Sequence, residues 1–221
     1  MNPIHRISLA RLCRVFAAGL CFMAIGACSA LRPEATPHPA FYSLDGTRGA
    51  APAASAPPSP AAAPTLIINP PHAAAGFDSP RIIYVRETHK LEYFAHSEWV
   101  DPPARMLAPL LVAAVENTGA FRAVVQTPSA ATGDLRLDTE IIRLQHEFQT
   151  RPSRVRFTLR AYLVDNRTRR VLAWREFDAS APATSEDPYG GVVAANRAVQ
   201  TVLENLSAFC AEEARSARME K

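Results

Sequence analysis

The segment from residue 135 to residue 179 constrains this chain most. Val155, Phe157, Leu159, Ala161 and Leu163 alternate with Arg154, Arg156, Thr158 and Arg160. A period of two with greasy and charged partners suits a strand that has one buried and one wet face. Leu135–Phe148 alternates as well, through Leu135, Leu137 and Thr139, then changes phase to Ile142, Leu144, His146 and Phe148. One extra residue in the strand produces such a slip, so a bulge is expected near Ile141. The polar turn Asp165–Arg169 leads into a third strand, Val171–Ala179. Three such strands with polar turns read as an antiparallel meander. The period then changes: Val192, Ala195, Val199, Val202, Leu203, Leu206 and Cys210 form one helical stripe within Gly190–Ala211.

Upstream the elements are shorter. Phe41–Leu44, Thr65–Asn69, Arg81–Arg86, Lys90–Ala95 and Phe121–Gln126 are apolar runs of strand length. Asp101-Pro102-Pro103 predicts a helix start, with Asp101 as the cap and proline in the first turn. Met106, Leu107, Leu110, Leu111, Ala114 and Val115 share one face, and Gly119 ends it. Pro109 removes a backbone donor and should weaken the first turns. Strands, helix, strands, helix is an α+β order. The expected architecture is a mostly antiparallel sheet with two amphipathic helices packed on one face.

The first 28 residues address the chain. Arg6, Arg11 and Arg14 precede a thirteen-residue apolar run, Val15–Ala27, which ends in small residues directly before Cys28. Basic start, short apolar middle and small residues at the cut are the layout of a secretory signal. With Cys28 following Ala27, residues 1–27 resemble a bacterial lipoprotein signal, cleaved after Ala27 and acylated on Cys28 with chains such as palmitate. Thirteen apolar residues are too few to span a bilayer core, which needs about 20. Residues 28–40 read as a lipidated Pro- and Ala-rich tether, whose twelve residues after Cys28 reach roughly 37 Å when extended. The folded domain is expected over 41–211, with a disordered Ala/Pro loop at 48–64 and a charged tail at 212–221.

Charge and cysteine counts narrow the function. Of 24 basic residues, removing Arg6, Arg11 and Arg14 leaves 21, equal to the 21 acidic ones. A neutral mature chain has no counterion-release drive toward nucleic acid and no bulk attraction to anionic lipid. Attachment to a membrane therefore falls to the acyl chains on Cys28. Cys13 and Cys21 leave with the signal, so Cys210 stands alone and no internal disulfide can form. The core must hold the fold.

No catalytic pattern is visible. GxSxG, HExxH, Walker and GxGxxG motifs are absent, and the histidines at 38, 72, 89, 96 and 146 never pair at metal-ligand spacing. No catalytic residue, metal or cofactor is expected, and the chain is read as a non-enzyme. The densest polar-aromatic stretch is Leu91–Met106, with Tyr93, Phe94, Trp99, Asp101 and Arg105. Trp99, Asp101 and Arg105 form a candidate partner surface, since aromatics and Arg dominate interface hot spots. The competing reading makes these aromatics core. Arginines at 151, 154, 156, 160, 167, 169 and 170 line the wet side and turn of the meander, either as a solvated face or as a site for phosphate or lipid head groups.

FYSL at 41–44, RIIYVRETHKLEYFAHSEWVDPPARML at 81–107 and LLVAAVENTGAFRAVV at 110–125 together resemble the ABC-type transport auxiliary lipoprotein family. PSRVRFTLRAYLVD at 152–165 and GGVVAANRAV at 190–199 fit as well, so the likeness covers Phe41 to about Phe209. The resemblance implies a periplasmic domain similar to the TolB amino-terminal fold. It also implies partners: an MCE-domain protein with its permease and ATPase, moving lipid between membranes. Lipid itself is a further candidate ligand. Ser29 behind Cys28 resembles lipoproteins sorted to the outer membrane, where this chain would face the periplasm. Regulation of a peptidoglycan synthase is the alternative, and a periplasmic hydrolase a weaker one.

Overall fold

The alternating run at 154–165 forms a long strand between two other long strands of the observed sheet. The computed structural model describes residues 38–45 and 63–219. The expected signal with Ala27, Cys28, most of the tether and residues 48–62 of the loop lie outside that range. In chain order the described elements are β1 Ala40–Tyr42, β2 Thr65–Ile68, β3 His72–Ala73, β4 Arg81–Val85, β5 Glu92–Trp99, α1 Pro103–Glu116, β6 Ala123–Gln126, β7 Leu135–Glu147, β8 Arg154–Asp165, β9 Val171–Pro182 and α2 Pro188–Met219.

β7, β8 and β9 form the expected meander, antiparallel over nearly their full lengths. The bulge sits where the phase slips: Ile141 pairs with Leu159 and Arg143 with Thr158, leaving Ile142 unpaired. β7 extends roughly 44 Å at 3.4 Å per residue, far longer than any upstream strand. Its second edge is therefore covered in pieces. β2 pairs with residues 135–137, β3 with 140–141 and β4 with 146–147, all parallel. β6 flanks β2 and β5 flanks β4, with β1 outermost beside β5. Among the described residues the sheet has nine strands and is mixed, its long ladders antiparallel and its parallel pairings short.

α1 and α2 pack on each other and on one face of this sheet. Leu107, Leu111 and Val115 of α1 meet Val199, Val202 and Leu206 of α2 in a core that also takes Phe157, Leu159 and Leu163 of β8. All nine are fully buried. Each such side chain contributes about 1.5–3 kcal/mol by leaving water. Cys210 is buried in the same core, and desolvation pushes its thiol up to about 12. The α+β architecture is as the sequence predicts.

Several local details differ. Pro102, not Asp101, is the N-cap residue of α1, and no side chain caps the helix. Asp101 turns to Arg105 instead, one turn on, at 3.3 Å. α2 starts at Pro188 rather than Gly190: Asp187 Oδ1 accepts the Gly190 N–H at 2.7 Å, a capping bond with proline in the first helical position. The helix then continues past Ala211 into the charged segment. Ala63 and Pro64, the last residues of the expected Ala/Pro loop, belong to the fold, with Ala63 buried. α1 itself runs unbroken through the exposed Pro109.

Candidate functional site

Trp99 is not a surface residue. It is 4 % exposed and lies in the core with Ile82, Leu144 and Val155. Its backbone N–H donates to the Pro80 carbonyl at 2.7 Å. The correction has a local cause. Between β4 and β5 the register slips, so that Arg81 faces Glu98 while Ile83 faces Tyr93. The extra residues of β5 reverse its phase: Phe94 packs on the core at one end, Ser97 and Trp99 at the other. Tyr93 is left 51 % exposed beneath the Arg81 guanidinium, 4.4 Å from the ring centre. Of the expected trio, Asp101 and Arg105 remain accessible, as an exposed ion pair.

The open face of the meander is self-neutralised. Arg156 Nε lies 2.9 Å from Asp178, and Arg160 reaches Glu176 at 2.9 Å and Glu140 at 3.7 Å. Arg154 donates to the Ser180 hydroxyl at 2.9 Å. The Arg156 hydrogen bond holds the Asp178 carboxyl below its ordinary range. Carboxylates paired with Arg156 and Arg160, and the Ser180 oxygens that occupy Arg154, leave little for an external phosphate to gain, which favours the solvated-face reading. Farther along, the same face changes character. Tyr162 and Trp174 pair across β8 and β9, their rings stacked at 6.3 Å. Trp174 is 61 % exposed, and Val171 and Leu172 beside it are exposed too. β9 has no second neighbour strand among the described residues, so its outer backbone edge is open there. The alternation of β9 put Trp174 on the same side as Glu176 and Asp178; that parity was the available signal.

His146 is a buried polar side chain of the core. It is 2 % exposed, and its Nε2 is 2.8 Å from the Ser153 hydroxyl. Desolvation lowers its pKa, while Glu186 and Asp187 oppose that shift. Ser153 is fully buried, and its N–H donates to Glu186 at 2.9 Å. The cavity against His146 holds about 10 Å³, around the lower limit for one water. A serine beside a histidine is here a clamp between the β7–β8 hairpin and the start of α2. Gly191 is part of it: a Cβ there would lie 2.5 Å from His146 Nδ1. Gly190 is needed as well, since its Cβ would meet the Ser185 backbone. Among the described residues no group of three His, Cys, Asp or Glu side chains could hold a metal ion.

A third exposed group lies where the chain enters the fold. Phe41 of β1 and Tyr189 of α2 are each 61 % exposed, and the Tyr42 ring is 6.5 Å from that of Tyr189. They line a groove of about 490 Å³. Asn196 braces it, accepting the Asp45 N–H at 3.0 Å and donating to the Ser43 carbonyl at 3.2 Å.

The domain so assembled matches the model of a known family, described as ABC-type transport auxiliary lipoprotein component, over residues 42–207. The chain belongs to that family. Its fold is shared with protein XCC0632 from Xanthomonas campestris, assigned to the family DUF330, at 24 % identity and a TM-score of 0.65. That match covers 73 % of this chain and 94 % of the other. An uncharacterized protein of solved structure matches at 12 % identity and a TM-score of 0.60, covering 79 % of this chain and 99 % of its own. No curated protein matches the chain. Among the described residues of this auxiliary lipoprotein, no helix is long and apolar enough to cross a membrane.

Proposed function

We propose that this auxiliary lipoprotein is a non-enzymatic component of an MCE-type lipid transport system, which it positions or stabilises at the periplasmic face of the outer membrane. Family membership over 42–207 carries the reading. The signal layout, with cleavage after Ala27 and acylation of Cys28, supports the anchor, and Ser29 supports sorting to the outer membrane. Several acyl chains hold where one would bind only marginally. The protein partners are the MCE-domain protein and, through it, the permease and ATPase.

The contact with the protein partner is assigned to Trp174 rather than to Asp101 and Arg105. An exposed ion pair such as Asp101–Arg105 is worth at most about 1 kcal/mol. An exposed tryptophan beside an open strand edge supplies both an anchor and a backbone ladder for an extended segment of the partner.

Affinity purification of the full lipidated chain from membranes, followed by protein mass spectrometry, tests the assignment. The MCE-domain protein and permease are expected in the eluate. Recovery of a peptidoglycan synthase in their place would overturn the transport role.

A further inference from the structure

We propose that Phe41, Tyr42 and Tyr189 form the membrane-facing end of the domain, resting in the interfacial layer of the bilayer that holds the acylated Cys28. The inference depends on the Cys28 anchor and goes beyond it, because a tether alone leaves the orientation of the domain free.

Four observations converge on this end. Phe41 and Tyr189 are both 61 % exposed, and Tyr42 adjoins them. Rings with an apolar body and, in tyrosine, a polar tip settle at the level of lipid head groups. The chain between Cys28 and the fold ends here, since β1 begins at Ala40, one residue before Phe41. Every tether length therefore starts from this patch, and it is the surface kept nearest the anchored residue. The patch is also braced: the Asn196 bonds to Ser43 and Asp45 tie β1 to α2, so the rings are presented by a fixed frame.

Charge selects the kind of lipid. Asp45 and Arg197 both line the groove and oppose each other. A locally neutral rim favours zwitterionic head groups over anionic ones. Three rings alone would bind a bilayer weakly. The tether changes that, because a short flexible linker presents the patch at an effective concentration in the millimolar range.

The test uses the full lipidated protein in phosphatidylcholine vesicles with brominated acyl chains. An environment-sensitive fluorophore is placed at Tyr189→Cys, at Phe41→Cys, or at Trp174→Cys on the opposite sheet face. Cys210 is buried and its thiol pKa raised to about 12, so it does not compete for the label. Both positions of the patch should be quenched several-fold more than position 174, at protein concentrations low enough to keep copies apart. Equal quenching at the three positions, or stronger quenching at 174, overturns the inference. Quenching at 189 that appears only as protein concentration rises assigns the patch to a second copy, and overturns it too. If the wild-type protein fails to float with the vesicles, the Cys28 anchor fails and the inference falls with it; flotation without quenching at 189 and 41 condemns the inference alone.

Discussion

The two tryptophans of this chain measure the difference between the two faces of its sheet. Trp99 is 4 % exposed beneath the helices, while Trp174 is 61 % exposed on the open side. The covered face is apolar and contiguous, and among its few buried polar side chains His146 bonds Ser153 through Nε2. The open face is a ladder of Arg–acid pairs that gives way to Tyr162 and Trp174 at one end. The same residue type thus stabilises the fold on one face and is available for binding on the other. What decides between them is strand phase, not local composition.

That contrast can be broken by mutation. Trp99→Ala should cost about 3–5 kcal/mol, as large-to-small changes in a core do, against a total stability of about 5–15 kcal/mol. Trp174→Ala should change stability by no more than about 0.5 kcal/mol. Chemical denaturation of the two variants gives both numbers, and similar losses would erase the distinction between the faces. Gly191→Ala comes next, at about 1–3 kcal/mol, because its Cβ must push into the His146 ring. A melting temperature equal to wild type would show that the clamp can move aside.

The His146 clamp also makes the covered face sensitive to pH. Burial lowers the folded-state pKa below the unfolded value near 6.5. The unfolded chain then binds the proton first, so stability is full above about pH 6.5 and falls as pH drops toward the folded-state pKa. Denaturation at pH 7.5 and pH 5.5 should show that loss in wild type and a smaller one in His146→Gln. Identical slopes would mean that the imidazole is not desolvated in solution. A small effect is also expected for the ion pairs of the open face. Arg156→Ala should cost under about 1 kcal/mol, since the Arg156–Asp178 pair is partly solvated. Added salt should shrink that difference further.

Much of this was legible in the sequence, for physical reasons that differ by element. β7 to β9 could be read because alternation is local, and even the bulge at Ile142 announced itself as a phase slip. The stripe of α2 was legible for the same reason. The parallel pairings of β2, β3 and β4 along β7 were not, because they join residues up to seventy positions apart with no turn between them to set the register. Trp99 belongs to a polar-aromatic stretch that reads as a surface, and the irregular pairing of β4 with β5 inverts its side. The parity of Trp174 with Glu176 and Asp178 places it on the wet face. The apolar stripe of α2 marks a start at Gly190, whereas Asp187-Pro188 supplies the capping signal two residues earlier. Phe41 and Tyr189 are far apart in sequence, and only the fold unites them.

If Trp174 anchors a transport partner, the open face is where that partner is held. A photocrosslinking amino acid at position 174 in the lipidated protein, activated in membranes that contain the transport system, tests this directly. An adduct with the MCE-domain protein is expected from position 174 and none from position 105. An adduct from position 105 with none from 174 would contradict it.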